Sequence, residues 1–435
     1  MLGRLQRGLR ARERAGQPVR VGLVGAGQMG LGLAAVLGRM PGMRLAAVAD
    51  LATERAAAAF QQAGVRPGEI VQAFTAAEGR RALEQGRRVI ATAGGLVAEL
   101  PVDVVVDATG IPLAAAVTAS QAIEAGHHIV LLTVEADVTV GHLLARRAAE
   151  AGVVYTGAAG DEPAAAKGLV EFAEFLGLEV ICAGKGKNNP LDRRATAQSL
   201  EAEGRRRGVN PRLLAEFVDG TKSMVEMACL ANATGLVPDV RGMHAAAATP
   251  AELARIFIPV EDGGILGRRG VVDFAIGVAP GVFVVVHEAH PVIREELRYL
   301  KLGDGPYFVL YRPFHLASIE TPVSIARAVL DGEADIVPLS IPRAEVISVA
   351  KRALRRGERL GLAGQDTVYG LIERADSARQ EGLLPMGLAP NAEVLVDLAP
   401  DQAIRWVDVA VEETPLLAMR QAQERMWEPT GGGHA

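Results

Sequence analysis

The sequence predicts an α/β protein built on a mostly parallel sheet, with a small β-rich region towards its C-terminal end. Three observations predict it. The stretch "VRVGLVGAGQMGLGLAAVL" runs from an apolar strand through a glycine turn into an Ala/Leu-rich helix. Apolar runs of strand length then alternate with helical patterns to about residue 340. Beyond that point the texture changes to short strands separated by Pro and Gly turns.

The size and composition of the chain narrow the options. With 435 residues it has room for two or three domains, each with its own core. A hydrophobic fraction of 49% beside 22% charged residues is ordinary globular composition. The net charge of −5, with no strongly basic segment, argues against nucleic acid as a partner. Only Cys182 and Cys229 occur, too few for a disulfide framework or a cysteine zinc site, which fits a reducing cytoplasm. The basic N-terminal stretch lacks the apolar core of a secretory signal and is expected to pack as a surface helix on the first domain. No apolar stretch approaches the roughly 20 residues that would cross a bilayer, so no membrane association is expected.

The first domain is expected over residues 1–156. Val19 to Val24 form its opening strand, and Gly25, Gly27 and Gly30 follow as G-x-G-x-x-G. Strand, glycine turn and helix in that order are what a Rossmann-type dinucleotide site requires. Gly25 permits the tight turn, Gly27 lets a pyrophosphate approach the backbone, and Gly30 allows close helix–strand contact. Gln28 and Met29 open the helix whose free N–H groups would face that anion. A second strand, "MRLAAVAD", ends at Asp50, about twenty residues past Gly30, where an acid can bind ribose hydroxyls. Leu51 and Ala52 follow, with no arginine to pair a ribose phosphate, so Asp50 favours NAD over NADP. The competing role for Asp50 is to cap a helix starting near Thr53. "VDVVVDATG" and "HHIVLLT" read as further strands. The carboxyl ends of these strands would bring Thr109, Gly110 and Glu135, with Asp137, towards a nicotinamide. His127 and His128 precede their strand and are expected at the surface.

The second domain is expected over residues 157–338 as a catalytic α/β layer. Asp161 and Glu162 close a glycine turn just before a helix. They either cap that helix or hold Mg²⁺ or Mn²⁺, hard cations that prefer oxygen ligands. "GLEVICA" reads as a buried strand and "GKGKNNP" as the Gly-rich bend after it. Lys185, Lys187 and Asn188 in that bend could grip an anionic or polyhydroxylated ligand. A helix from about Ser223 would put Lys222, Glu226 and Cys229 on one face among apolar neighbours. A desolvated lysine there is readily tuned for proton transfer. "VFVVV" is a strong strand. The His287 and His290 pair after it has no recognised metal spacing, while Arg312 and His315 could reach a substrate. Residues 339–425 are expected as the small β module, and 426–435 as a disordered tail.

Several longer segments carry a resemblance: "DATGIP" (107–112), "VEADVTVG" (134–141), "GDEP" (160–163), "AGKGKNNP" (183–190), "MVEMACLANATGLVPD" (224–239) and "GDGPYFVLYRPFHL" (303–316). With them, residues 4 to 425 resemble the deoxyxylulose-phosphate reductoisomerase-like family of homoserine dehydrogenase-like proteins. The C-terminal module resembles a SAF domain. The resemblance implies a homodimer and a small phosphorylated or hydroxylated substrate. At its most specific it implies conversion of 1-deoxy-D-xylulose 5-phosphate to 2-C-methyl-D-erythritol 4-phosphate with NADPH and a divalent metal. By position it makes Asp161 and Glu162 metal candidates, with Glu226 a possible third. Lys185, Lys187 and Asn188 become candidates for the phosphate or the reacting oxygens. Asp50 departs from this picture, because an acid repels a ribose phosphate. The alternative is therefore an NAD-dependent dehydrogenase of homoserine or a small sugar or hydroxy acid. A non-catalytic ligand-binding protein ranks third, since such a protein has little need of both a dinucleotide fold and a lysine-lined strand end.

Overall fold

A computed structural model of the chain describes residues 2–427. The chain divides into two compact units, each discontinuous in sequence. Among the described residues, unit 1 comprises 2–161, 316–340 and 418–427, and unit 2 comprises 162–315 and 341–417. Among the described residues, no helix is long and apolar enough to cross a membrane.

Unit 1 is centred on seven parallel strands: β1 (Val19–Val24), β2 (Met43–Ala49), β3 (Ile70–Gln72), β4 (Arg88–Ala91), β5 (Val104–Asp107), β6 (His128–Leu131) and β7 (Tyr155–Gly157). Their spatial order is β3-β4-β2-β1-β5-β6-β7. The chain leaves β1 towards β2 and later returns to pair β5 on the other side of β1. The crevice between β1 and β5 is therefore the topological switch point, where open α/β sheets bind ligands. Val24 pairs Asp107 across it. Near-continuous burial along these strands reflects helices on both faces. The N-terminal helix Leu2–Arg14 docks on this unit through Leu5 and Leu9, which join the core around Val19, Val21 and Leu23. His128 is the first residue of β6 rather than a surface residue. It is half-buried, and its Nδ1 accepts from the Val154 N–H at 3.0 Å.

Unit 2 holds a five-stranded mixed sheet made of β8 (Glu179–Lys187), β9 (Val237–Pro238), β10 (Val271–Ile276), β11 (Val282–His287) and β12 (Tyr307–Arg312). The order is β12-β11-β8-β10-β9. β8 runs parallel to β10 and antiparallel to β11. The helices Glu162–Phe175 and Thr221–Thr234 carry Glu162 and Glu226 to the Lys185 face of the sheet. The expected bend at "GKGKNNP" is a correction. Both lysines lie within β8, which runs on to Lys187. The intervening glycines serve proximity, not bending. A Cβ on Gly184 would stand 2.1 Å from the Asp273 carbonyl oxygen, and one on Gly186 would stand 2.4 Å from the Ala279 nitrogen.

The C-terminal β region pairs β13 (Ala344–Ala350) with β14 (Val368–Arg374) and β15 (Glu393–Val394) with β16 (Val409–Ala410), both antiparallel. Isolated bridges such as Val349 to Ala403 and Leu383 to Arg405 tie these hairpins together. Of the tail expected over 426–435, residues from 428 onward lie outside the described residues. Trp427 is not a loose end, because its indole nitrogen donates to the Ser340 carbonyl at 3.2 Å.

Candidate functional site

Two places in the molecule carry chemistry, one in each unit. In unit 1 the glycine turn forms at the carboxyl end of β1. Gly25 adopts φ +94°, and a Cβ there would lie 2.6 Å from the Ala108 carbonyl oxygen. A Cβ on Gly30 would lie 2.1 Å from the Gly25 carbonyl oxygen. The fold itself demands both glycines. Gly27 differs: its φ of −73° suits any residue, and a Cβ there would meet nothing within 4 Å. The open space in front of Gly27 is where a ligand backbone can approach. Gly27 caps the helix Gln28–Leu37 without a side-chain bond, and Gln28 and Met29 are exposed at its first turn.

Asp50 follows β2, as expected, and faces this turn. One carboxylate oxygen accepts from the Ala26 N–H at 2.8 Å and the other from the Ala52 N–H at 2.9 Å. It therefore braces the glycine turn, a role its sequence position alone does not reveal. Thr109 and Gly110 cluster around Asp107, at the end of β5. The Thr109 hydroxyl donates to Asp107 at 3.1 Å, the Thr133 hydroxyl also donates to Asp107, and Gly110 N–H donates to the Thr133 hydroxyl at 3.0 Å. Burial pushes the Asp107 carboxyl up to about 6 against these hydrogen bonds. Glu135 lies in the first turn of the helix Val134–Glu150, just past Thr133.

In unit 2, Lys185 projects from β8 into a buried cluster of acids. Its Nζ donates to Glu162 Oε1 at 2.8 Å and also to Glu226 Oε2. The Glu226 side chain is 1% exposed. His315 completes the group, with Nε2 3.3 Å from Glu162 Oε1 and a buried Nδ1 that no group among the described residues bonds. Burial lowers the Lys185 pKa, but Glu162 and Glu226 outweigh it and hold the ammonium firmly charged. One ammonium cannot neutralise both carboxylates at full strength. The surplus falls on Glu226, which burial and then the Glu162 charge push up to about 7. A buried acid poised there can exchange a proton near neutral pH.

Lys187 shares the Lys185 face of β8 by the two-residue alternation of a strand. Its ammonium donates to the Phe217 carbonyl instead of joining the acids. Burial, then the Lys185 charge, brings it down to about 8. Lys222 is half-buried in the first turn of the helix Thr221–Thr234 and acts on Glu226 through its charge. Cys229 is buried on the same helix. Asn188, just past β8, is exposed and is not brought into the cluster. The sequence reading took His315 only as a side chain that could reach a substrate; its place beside Glu162 comes from the fold.

Asp161 is bonded through the chain to Glu162, and carboxylate oxygens of Asp161, Glu162 and Glu226 lie within 4.8 Å of one another. Three carboxylates are suitable donors for Mg²⁺ or Mn²⁺. In this arrangement, however, the Lys185 ammonium is the cation bound to two of them. A divalent ion would compete directly with Lys185.

Residues 160–321 match the family model described as the catalytic domain of oxidoreductase DRL. The glycine turn in a parallel sheet and this match define the class: a nicotinamide-dependent oxidoreductase. No curated protein matches the chain. Among solved structures, it is similar to a probable dehydrogenase from Thermotoga maritima, at 13% identity and TM-score 0.43, covering 73% of this chain and 90% of that one. It is similar to myo-inositol 2-dehydrogenase from Lactobacillus plantarum at 13% identity and TM-score 0.40, covering 73% and 91%. It is also similar to a myo-inositol dehydrogenase from Corynebacterium glutamicum at 13% identity and TM-score 0.39, covering 72% and 89%. Likeness at this level carries no argument about what the chain acts on.

Proposed function

We propose that the chain is an NAD(P)-dependent dehydrogenase of a small hydroxylated substrate such as a sugar acid, a hydroxy acid or homoserine. The observation that supports it most is the buried Lys185–Glu162–Glu226 cluster within the segment that matches an oxidoreductase catalytic domain. The nicotinamide supplies hydride exchange at a carbinol carbon. What the chain's own residues do follows from their charge. The Lys185 ammonium donates a hydrogen bond to the substrate oxygen and steadies negative charge as it develops there. In oxidation Lys185 hands one of its protons to Glu226 as it takes the hydroxyl proton, and in reduction both transfers run back, so Lys185 ends either direction as an ammonium. His315 Nδ1 offers a further polar contact for a hydroxyl. The open face of Gly27 and the bare first turn of the helix Gln28–Leu37 would receive the cofactor pyrophosphate, and Asp50 favours NAD by repelling a ribose phosphate.

The three converging carboxylates favour a second reading, a metal-assisted reductoisomerase acting on deoxyxylulose phosphate. One experiment separates the two. The protein is freed of divalent ions with EDTA and assayed with NAD and NADP against a panel of hydroxy acids, sugar acids and homoserine. The same assay is run with NADPH against deoxyxylulose phosphate, with and without Mn²⁺. Metal-independent NAD reduction by a panel member is the expected result. Turnover of deoxyxylulose phosphate that needs Mn²⁺ would replace the first reading with the second.

A further inference from the structure

Unit 1 carries a second concave site, on the edge of its sheet away from the glycine turn. A cavity of about 370 Å³ opens at the amino ends of β2 and β4. That volume is within the range of small-molecule sites. Three arginines line it, Arg39, Arg44 and Arg88, against one acid, Glu13. Other lining side chains are apolar, among them Leu37, Met40, Met43 and Val65.

Two glycines gather this lining. The helix Gln28–Leu37 ends at Gly38, where a Cβ would lie 2.5 Å from the Ala63 carbonyl oxygen. Arg39 therefore leaves that helix beside the end of the helix Thr53–Gln62. Gly42 has φ +78°, and a Cβ there would lie 2.0 Å from the Leu9 carbonyl oxygen. The chain thus passes close against the N-terminal helix before β2 carries Arg44 to the cavity.

The charge gathered there has no counterpart. Among the described residues, none of the three arginines forms an ion pair. Glu13 Oε2 is already engaged, accepting from the Gly42 N–H at 2.8 Å. Arg88 Nη1 donates to the Gly86 carbonyl at 3.0 Å, while its Nε is buried without a partner among the described residues. Burial and then the Arg44 charge lower the Arg88 pKa; Glu69, which pairs with Arg66, acts the other way. Helix ends attract cations, but here backbone groups take up the last turns. Gly38 N–H donates to the Ala34 carbonyl at 3.1 Å and Gly64 N–H to the Gln61 carbonyl at 3.0 Å. Like charges held together beside a partly desolvated guanidinium are unfavourable until an anion joins them.

We propose that this cavity binds a phosphate monoester with a short apolar body, at a site distinct from the glycine turn. Three arginines against Glu13 leave a surplus of two positive charges. A phosphate monoester carries about −1.5 to −2 at neutral pH, which matches that surplus. Guanidinium forks pair phosphate oxygens two at a time, and the apolar lining takes the body of the ligand.

The test is equilibrium dialysis of the full-length chain against hexyl phosphate, inorganic phosphate and hexanoate. Hexyl phosphate should bind at least about tenfold more tightly than inorganic phosphate, because only it buries methylenes. Hexanoate, with one charge, should bind more weakly than hexyl phosphate. Arg39→Ala and Arg44→Ala each remove an exposed side chain and should leave the melting temperature unchanged. Each should weaken hexyl phosphate binding about tenfold or more. Saturating NAD should not displace the probe. The proposal is overturned if hexyl phosphate does not bind, or if hexanoate or inorganic phosphate binds equally well. Binding that survives the Arg39→Ala/Arg44→Ala double variant, or displacement by NAD, overturns it too.

Discussion

The carboxyl ends of β1 and β8 solve opposite problems. At β1 the chain removes side chains: Gly25 and Gly30 are forced by backbone atoms closer than 3 Å to any added Cβ, and Gly27 leaves open space. At β8 it concentrates ionised side chains, with Lys185, Glu162 and Glu226 in mutual contact out of water. Glycines flank both sites, for different reasons. Gly184 and Gly186 admit neighbouring backbone so that Lys185 and Lys187 both stay within the strand. A backbone cradle tolerates changes to side chains around it, whereas a buried ion cluster depends on every member being present.

That contrast can be broken most severely at Lys185. Lys185→Met leaves Glu162 and Glu226 facing each other unneutralised. Removing one partner of a buried ion pair typically costs about 3–5 kcal/mol. Urea denaturation should show a loss of that order, together with loss of turnover. If stability is unchanged, the cluster is not closed as described.

Glu226→Gln should be milder for folding and still harmful to turnover, by about 10²–10⁴-fold for a lost general acid–base group. Its pH behaviour distinguishes this role from mere support. Glu226 is held at about 7 against an ordinary 4.5. Oxidation needs its carboxylate, so the rate should rise as pH passes upward through about 7. Reduction needs its proton, so that rate should fall over the same range. Between 4.5 and about 7 the folded state binds more protons than the unfolded one, so stability declines as pH rises through that window. Glu226→Gln should flatten both the rate inflection and the stability slope. A higher inflection, near the value of about 8 for Lys187, should remain.

The smallest effect is expected at the glycine turn. Gly27→Ala meets no atom within 4 Å, so the melting temperature should hold to within a shift worth about 0.5 kcal/mol. Affinity for NAD, measured by titration calorimetry, should still weaken roughly tenfold, or about 1.4 kcal/mol. Gly30→Ala should instead destabilise the chain, because its Cβ would strike the Gly25 carbonyl. Equal affinity for NAD in Gly27→Ala and the native chain would remove the cofactor role from this turn.

The sequence alone determined most of unit 1, because its signals are local. An apolar strand, a glycine turn and a helix start lie within about a dozen residues, and the acid at Asp50 comes at a spacing the βαβ unit dictates. In unit 2 the sequence identified Lys185, Glu162 and Glu226 as residues of interest, but not what they are to one another. Glu162 and Glu226 stand 23 and 41 positions from Lys185 and come from separate helices. Only their packing on one sheet face brings the acids onto the lysine. Reading the glycines beside the lysines as a bend failed for the same reason: the backbone that crowds Gly184 and Gly186 belongs to Asp273 and Ala279, far away in the chain. The acids then split two lysines of identical local pattern that burial lowers alike. Lys185, between two acids, stays charged, and Lys187, without them, is pushed towards neutrality. Short-range geometry is written in the order of residues, whereas the charge a side chain carries depends on what the fold sets beside it.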